Sequence, residues 1–498
     1  MNVAWTFWLP QILLGVSFLT AILIFVVGEE RARLRTILNL GGATVKLLLV
    51  VIMVWGTMSG HIFEARLPFL DDHSLVLRVD FLSLLFISLS AVLWFLTTIY
   101  AVGYLEHSEH RSRFFGFFSL CVTATMGIAL AGNLLTFFVF YEMLSVVTYP
   151  LVVHRGTGEA LAAGRAYLLY TLTGGTVLLS GIVALDLVAG AGDFVPGGQI
   201  AEIAADRAGP LRIIFVLLIG GLGVKAAIFP LHGWLPMAMV APAPVSALLH
   251  AVAVVKAGAF GIIRIVYNVY GVEPAAALGL LAPLSALAAF TMIYASTRAL
   301  VQDDLKRRLA YSTVSQLSYI TLGVSIVGPL ATTGALVHLI HQGIMKVTLF
   351  FCAGLLAETL GVHRISEMRG VGRRMPLTMA AFTLAAFGMI GVPPVAGFVS
   401  KWYLGVGAIE AGQVWVVAVL AASSALNAAY FLPILAAAWF HPEERPWRGR
   451  RGPHEADLML LLPTLATAGL SLGAGLLAGL PFSPLWLALL AVAEVYLP

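Results

Sequence analysis

The chain has 498 residues, 60% of them hydrophobic and only 11% charged, with mean hydropathy +0.95 and a formal charge of +4. Soluble domains carry roughly a quarter charged residues, so this composition excludes an ordinary soluble enzyme and describes a polytopic membrane protein. The small positive charge is explained by loop arginines and lysines and gives no hint of nucleic-acid binding.

Apolar runs of bilayer-spanning length occupy residues 5–27, 36–57, 79–102, 112–131, 133–153, 165–189, 211–229, 241–267, 274–298, 306–326, 331–357, 375–412, 415–440 and 457–480. An all-α protein of about fourteen transmembrane helices is expected. The first run lacks a basic leader and a clear small-residue cleavage site, so it reads as a retained helix. The run 375–412 is too long for one simple span and suggests a broken or tilted helix. Connections near 58–78 and 190–211 are the longest polar ones, and neither is a soluble domain. Cys121 and Cys352 lie far apart in apolar runs, form no CxxC, cluster or zinc pattern, and read as structural residues.

Basic residues test this division. They gather after span 1 (Arg31, Arg33, Arg35), span 3 (Arg111, Arg113) and span 5 (Arg155, Arg165). They gather again after span 9 (Arg298, Lys306, Arg307, Arg308), span 11 (Arg364, Arg369, Arg373, Arg374) and span 13 (Arg445, Arg448, Arg450, Arg451). Intervening loops carry few, namely Arg66, Arg78, Arg207 and Arg212. The positive-inside rule then makes odd-numbered connections cytoplasmic and places both termini on the other side.

Two segments should interrupt helices, because proline removes a backbone donor and clashes with the preceding turn. One is Phe229-Pro230-Leu231-His232-Gly233-Trp234-Leu235-Pro236, just after Lys225; the other is Gly391-Val392-Pro393-Pro394-Val395-Ala396-Gly397, just before Lys401. They fall in spans 7 and 12, five apart, as two inverted five-helix repeats would place them. The expected division is 1–110 (helices 1–3), 111–270 (helices 4–8), 271–440 (helices 9–13) and 441–498 (helix 14 and tail). Proline breaks that merely kink packed helices are the plainer alternative.

Lys46, Lys225, Lys256, Lys346 and Lys401 lie inside apolar runs, accompanied by Glu142, His250, His338 and His341. A charge at the bilayer centre costs about 2.5–3.5 kcal/mol even on lenient insertion scales, so such residues point to an ion or proton path. Glu142 and Lys225 suit a buried pair whose separation would release a proton, with a purely structural ion pair as the alternative. His250 and Lys256, six residues apart on a continuous helix, would diverge by about 120°. His338 and His341 share a face at i, i+3, with Lys346 little more than one turn beyond. Imidazole and desolvated ammonium groups can both exchange protons near neutral pH. The His-x-x-His pair offers no obvious third ligand, so no metal site is expected. Lys401 ends the row; Lys46 lies outside both repeats, and a place in the row and simple snorkelling or local pairing stay equally open. Arg264 and Asp186, near span ends, read as anchors.

The run Lys225 to Pro236, the Ala241–His250 segment, Lys256-Ala-Gly, Asp304–Thr313 and Gly391–Lys401 together resemble the proton-conducting antiporter family. That family comprises antiporter-like subunits of complex I, of membrane-bound hydrogenases and of Mrp-type cation/proton antiporters. The resemblance covers roughly residues 75–440. It implies fourteen helices, inverted repeats, discontinuous helices 7 and 12, and a Glu142–Lys225 couple. It also implies a central relay at Lys256 with His250, a connecting region at His338, His341 and Lys346, and an exit-side proton site at Lys401. Lysine at 401 departs from the complex I type that carries glutamate there, and the Tyr141-Glu142 pair departs from the common tryptophan-glutamate version. The chain looks most like the D-type component of Mrp cation/proton antiporters; the alternative is a pumping subunit of a complex I-like, hydrogenase or inorganic-carbon uptake complex. No dinucleotide, flavin, haem or cluster motif is present, so the expectation is a transporter subunit without cofactors. It would work beside other membrane subunits in a prokaryotic plasma membrane, moving protons and possible Na⁺ or K⁺ partners.

Overall fold

The computed structural model describes residues 3–70, 73–106, 108–190, 192–443 and 455–496. The predicted Arg445, Arg448, Arg450 and Arg451 cluster lies outside the described residues. In chain order the helices are α1 (Val3–Val26), α2 (Ala32–Met58), α3 (Phe81–Tyr104), α4 (Arg111–Leu130), α5 (Leu134–Val152), α6 (Gly158–Ala189) and α7 (Ala208–Lys225). After them come α8 (Trp234–Met237), α9 (Ala243–Ala251), α10 (Val254–Arg264), α11 (Val272–Ala277), α12 (Leu281–Leu300), α13 (Leu305–Val324) and α14 (Pro329–Leu360). The last are α15 (Val371–Arg374), α16 (Pro376–Ile390), α17 (Ala396–Glu410), α18 (Val414–Phe440), α19 (Leu458–Leu476) and α20 (Pro484–Tyr496). Among the described residues, eleven helices are long and apolar enough to cross a membrane. Many starts are marked in the sequence. The side chains of Asp80, Asn133, Thr157, Asp304 and Asp457 each accept an N–H from the first turn that follows.

Hydrogen bonds between loops sort the connections into two faces. On one, the Glu29 carboxylate accepts the N–H groups of Arg111 and Ser112, and Arg113 donates to the His154 carbonyl. On the same face Arg307 pairs with Glu159, and the Leu305 and Ile365 N–H groups bond the His363 and Asp303 carbonyls. The loops after α1, α3, α5, α12 and α14 therefore share this arginine-rich face, in phase with the basic clusters. Glu455 joins it, accepting the N–H groups of Leu377 and Thr378 at the start of α16.

The opposite face carries a feature that hydropathy does not reveal. Residues 58–78, expected to be a polar connection, form an antiparallel hairpin, β1 (Glu64–Leu70) with β2 (His73–Arg78). Its charged groups tie it to the α6–α7 loop: Asp193 accepts from both Arg66 and Arg78, and Arg78 also bonds Glu64 at 2.8 Å. Asp186 pairs with His73 at 3.3 Å, the anchoring role expected of it. A second difference is α20, which replaces the expected tail and packs against α3 and α14 near this face.

Polarity is distributed from the inside out. The segment Ala243–Tyr270 and α14 from Ala331 to Leu356 are enclosed by the rest of the protein, whereas α2 and α6 present residues such as Leu48, Val51, Leu169 and Leu187 outward. Enclosed helices can therefore carry polar groups without exposing them to lipid. α13 shows the result, burying Ser312, Thr313, Ser315, Gln316 and Ser318 on consecutive turns.

Close backbone approach sets the first break. Gly258 of α10 sits so near the Lys225–Ala226 peptide that a Cβ there would collide with backbone. Gly258→Val should lower thermal stability in detergent by about 1–3 kcal/mol, the usual cost of overpacking. An unchanged melting temperature would show that α7 and α10 are not held in this contact.

Candidate functional site

Both predicted breaks are present. α7 stops at Lys225; residues 226–233 turn irregularly before the single turn of α8. The Trp234 indole N–H bonds the freed Val224 carbonyl at 2.8 Å, and Ala227 adopts φ +55°. Pro230 lies in this turn, Pro236 in α8, and His232 packs edge-on against Tyr294 at 5.3 Å. The second break separates α16 from α17 at Gly391, whose φ of +96° suits only glycine comfortably. Both the Phe229–Pro230 and Pro393–Pro394 peptide bonds are cis. α7 runs toward the arginine-rich face and α16 away from it, so the two breaks are oppositely directed.

Each break is matched to a lysine by elementary electrostatics. The last carbonyls of a helix lack intrahelical donors and carry partial negative charge, which favours a cation. Lys225 is the final residue of α7 and fully buried. Its Nζ donates to the Tyr141 carbonyl, lies 3.3 Å from the Tyr141 ring centroid, and stands 4.0 Å from Glu142 Oε1. Glu142 and Lys225 are thus brought together, at the outer limit of an ion pair. Gly175 of α6 faces the Glu142 carboxylate at a distance that leaves no room for a side chain. Lys401 reaches back from α17 to the end of α16, donating to Met389 O and Ile390 O at 2.9 Å each and to Ser424 Oγ at 3.0 Å.

Between them the row passes through α10 and α14. Lys256 Nζ donates to Leu339 O at 2.5 Å, and His338 of the same helix meets Ser400 Oγ through Nδ1 at 2.8 Å. Tyr319 lies under both the His338 ring, at 5.1 Å, and the Lys401 ammonium, at 4.9 Å. His341 is buried three residues further along α14. His250 stacks on Phe350 at 4.7 Å with neither ring nitrogen hydrogen-bonded. One expectation fails here. His250 and Lys256 do not share a continuous helix, because the chain unwinds at Val252 and Ala253 between α9 and α10. The 120° divergence therefore does not apply. This third interruption has no proline, and only the packing of α14 against Ala251 through Gly343 betrays it.

Sequence reasoning also missed the groups that join Lys346 to Lys401. Lys346 Nζ donates to Ser312 Oγ at 2.6 Å and to Leu309 O at 3.1 Å. The Tyr430 hydroxyl lies 3.0 Å from Ser312 Oγ and 2.5 Å from Asn427 Oδ1. Asn427 Nδ2 bonds the Met389 carbonyl at 3.0 Å, the oxygen that Lys401 also holds. Ser312 and Tyr430 are 118 residues apart, so no local pattern links them. Polar residues inside apolar spans were the available hint.

Lys46 does not snorkel. It is fully buried, bonded to Ser17 Oγ at 2.5 Å and set 5.1 Å from the Trp94 ring, apart from the other lysines. Arg264 is not an end anchor but a buried partner of Asp80, at 2.5 Å. No group of three metal-ligating side chains occurs among the described residues. A cavity of about 350 Å³ opens on the arginine-rich face, lined by Arg155, Lys306, His363, Tyr104 and Gly354. Gly354 in its lining lies beside Tyr100, whose hydroxyl bonds Phe351 O at 2.9 Å, one residue from the Phe350 ring that His250 meets.

Residues 131–427 match the family model for the transmembrane segment described as NADH:quinone oxidoreductase/Mrp antiporter, and residues 72–115 match the complex I chain 5 N-terminus model. The chain belongs to this family. It is 38% identical to NADH-quinone oxidoreductase subunit N of Desulforudis audaxviator over 70% of this chain and 69% of that protein. It is 33% identical to a probable K⁺/H⁺ antiporter A/B component of Rhizobium meliloti, over 71% of this chain but only 35% of that longer protein. Its structure resembles a chain of the Mrp complex from Dietzia sp. DQ12-45-1b, with TM-score 0.87, 25% identity, and coverage of 100% of this chain and 98% of that one. An archaeal membrane-bound sulfane sulfur reductase contains a similar chain, with TM-score 0.84 and 25% identity over 99% and 97%. The protein is an antiporter-type, multi-pass subunit of prokaryotic plasma-membrane complexes, a transporter component rather than an enzyme in its own right.

The Ser312–Tyr430–Asn427 contacts make a stability prediction independent of transport. Tyr430→Phe and Asn427→Leu should each cost about 1–3 kcal/mol, because each orphans buried partners. Thermal unfolding of the double variant should show a coupling of at least about 0.5 kcal/mol; strict additivity would mean the three groups do not act as one network.

Proposed function

We propose that the buried row conducts protons across the bilayer. The Glu142–Lys225 pair acts as a switch, Lys256 with His250 as the central relay, and His338, His341 and Lys346 as the connection. Lys401 is the terminal exchange group. The observation that carries this reading is the run of donors and acceptors from Lys346 through Ser312, Tyr430 and Asn427 to the Met389 carbonyl held by Lys401. A structural core has no need to string titratable groups across two interrupted helices, whereas a conduction path does. The helices 4–8 and 9–13, residues 111–270 and 271–440, form the two halves of the conducting unit.

The arginine-rich face is assigned to the cytoplasm by the positive-inside rule, which puts both described ends of the chain on the other side. The cavity at Lys306 and His363 then opens to cytoplasmic water near His250. Lysine at 401 and the near-complete overlap with a chain of an Mrp complex favour a role like that of the D-type Mrp component, exchanging protons for a cation. A pumping subunit of a complex I-like assembly is the second reading, favoured by the 38% identity to a subunit N.

Proton transport in everted membrane vesicles, with assembly followed on native gels, tests the row. Glu142→Ala and Lys225→Ala should each abolish transport, since each leaves its partner an uncompensated buried charge. Wild-type rates in both assembled variants would remove the switch from the mechanism. Lys401→Arg should impair transport nearly as strongly as Lys401→Ala, because guanidinium keeps its charge but releases no proton at physiological pH. Transport by Lys401→Arg at the wild-type rate would reduce residue 401 to a fixed charge.

A further inference from the structure

The last turn of α20 brings a second carboxylate to a buried ion pair. Arg264 is almost wholly enclosed, between the rings of Phe194 and Phe260 at 5.2 and 5.0 Å. Its two terminal nitrogens bond Asp80 at 2.5 and 2.9 Å, Asn268 Oδ1 at 3.1 Å and Ser83 Oγ at 3.1 Å, while its buried Nε carries no hydrogen bond. Burial pushes the Asp80 carboxyl up, but the Arg264 guanidinium beside it and the Ser83 donors outweigh burial and hold it below the ordinary carboxylate value. Asp80 and Arg264 thus already neutralise each other. Glu494 joins them from α20, its Oε2 accepting the Phe81 N–H at 3.3 Å. An ionised Glu494 leaves this enclosure with net negative charge; a proton on Glu494 balances it.

Two further observations set the place apart. The backbone after Arg264 runs as a π-helix, Ile265–Tyr270, a rare form that concentrates at functional positions. From that segment the Tyr267 hydroxyl bonds Thr332 of α14 at 3.1 Å, and Thr332 meets the Tyr496 hydroxyl at 2.9 Å. The end of α20 therefore touches α14, which carries His338, and is linked through Thr332 to the π-helix that continues α10, which carries Lys256. Arg264 stands about 12 Å along α10 from Lys256, and Thr332 about 9 Å along α14 from His338. The charged groups that act on Glu494 are Asp80 on the α3 side and Arg264 on α10, with Tyr496 two residues further along α20.

We propose that Glu494, supported by the Asp80–Arg264 pair, is a proton-exchange site at the hairpin face, serving the Lys256–His338 part of the row. The site rests on the transport reading above. Glu494 is only partly buried, so it takes a proton from water on that face as a neutral acid and returns to carboxylate when the proton leaves. Water must carry the proton over the two intervals along α10 and α14.

Infrared titration of the purified, assembled complex reads this site without transport. Wild type should show a protonated-carboxyl C=O band that grows as pH falls through neutrality. Glu494→Gln should lose that component, and Glu494→Asp should keep it with a shifted midpoint. Identical titrations of wild type and Glu494→Gln would overturn the proposal. Vesicle transport measured against the pH on the hairpin face should lose most of its pH dependence in Glu494→Gln. An unchanged profile in that variant would overturn the coupling to the row. Failure of the wild-type complex to move protons at all would overturn the transport reading instead, while a Glu494-dependent band would still support the proton site.

Discussion

A buried ammonium group must find oxygen atoms, and much of this molecule is arranged around that requirement. Four lysines are placed where water cannot solvate them and a fifth, Lys401, is half-buried; each is met by carbonyls or hydroxyls: Lys46 by Ser17, Lys225 by Tyr141, Lys256 by Leu339, Lys346 by Leu309 and Ser312, and Lys401 by Met389, Ile390 and Ser424. Carbonyls inside a helix retain a second lone pair that can serve, but only an interrupted helix releases several at one point. The α16–α17 break supplies Lys401 in this way. At the first break the lysine is itself the helix terminus, and the carbonyl comes from α5.

The two breaks are alike in backbone and unlike in charge. Lys225 has a carboxylate at 4.0 Å, whereas Lys401 has no salt bridge among the described residues and relies on neutral oxygens. In the proposed transport reading, a switch built on an ion pair would respond to separation of the pair, whereas a terminal group held by neutral ligands would not. The same economy explains why α13 is polar and yet buried from Ser312 to Val324. Its hydroxyls face other helices, and the apolar side chains that a bilayer demands are carried by the outer helices.

The two faces are held by different means. On the arginine-rich face, capping carboxylates such as Glu29 and Glu455 fasten one helix end to another through backbone N–H groups. On the opposite face a β-hairpin and an arginine–aspartate cluster do so, and the last helix reaches the start of α3 through Glu494. The hairpin was hidden because Arg66 and Arg78 read as sparse loop charges. They neutralise Glu64 and Asp193, a pairing 115 residues apart in the case of Arg78 and Asp193.

Composition and hydropathy by themselves determined the class, the approximate number of crossings and the phase of the basic loops, because lipid imposes one rule on every residue it touches. Proline chemistry located the breaks between α7 and α8 and between α16 and α17, since a missing N–H is a local fact. Buried lysines and histidines were legible for the same reason, as exceptions to an apolar background. Only the tertiary structure decided the rest. The unwinding between His250 and Lys256 depends on what packs against residues 251–253, and the bridge from Lys346 to Lys401 depends on side chains of α13 and α18 meeting. Arg264 looked like an anchor until Asp80 and Glu494, 184 residues before and 230 after, were found beside it. A sequence records which groups must be satisfied, whereas the partner that satisfies each one is chosen by packing between helices far apart in the chain.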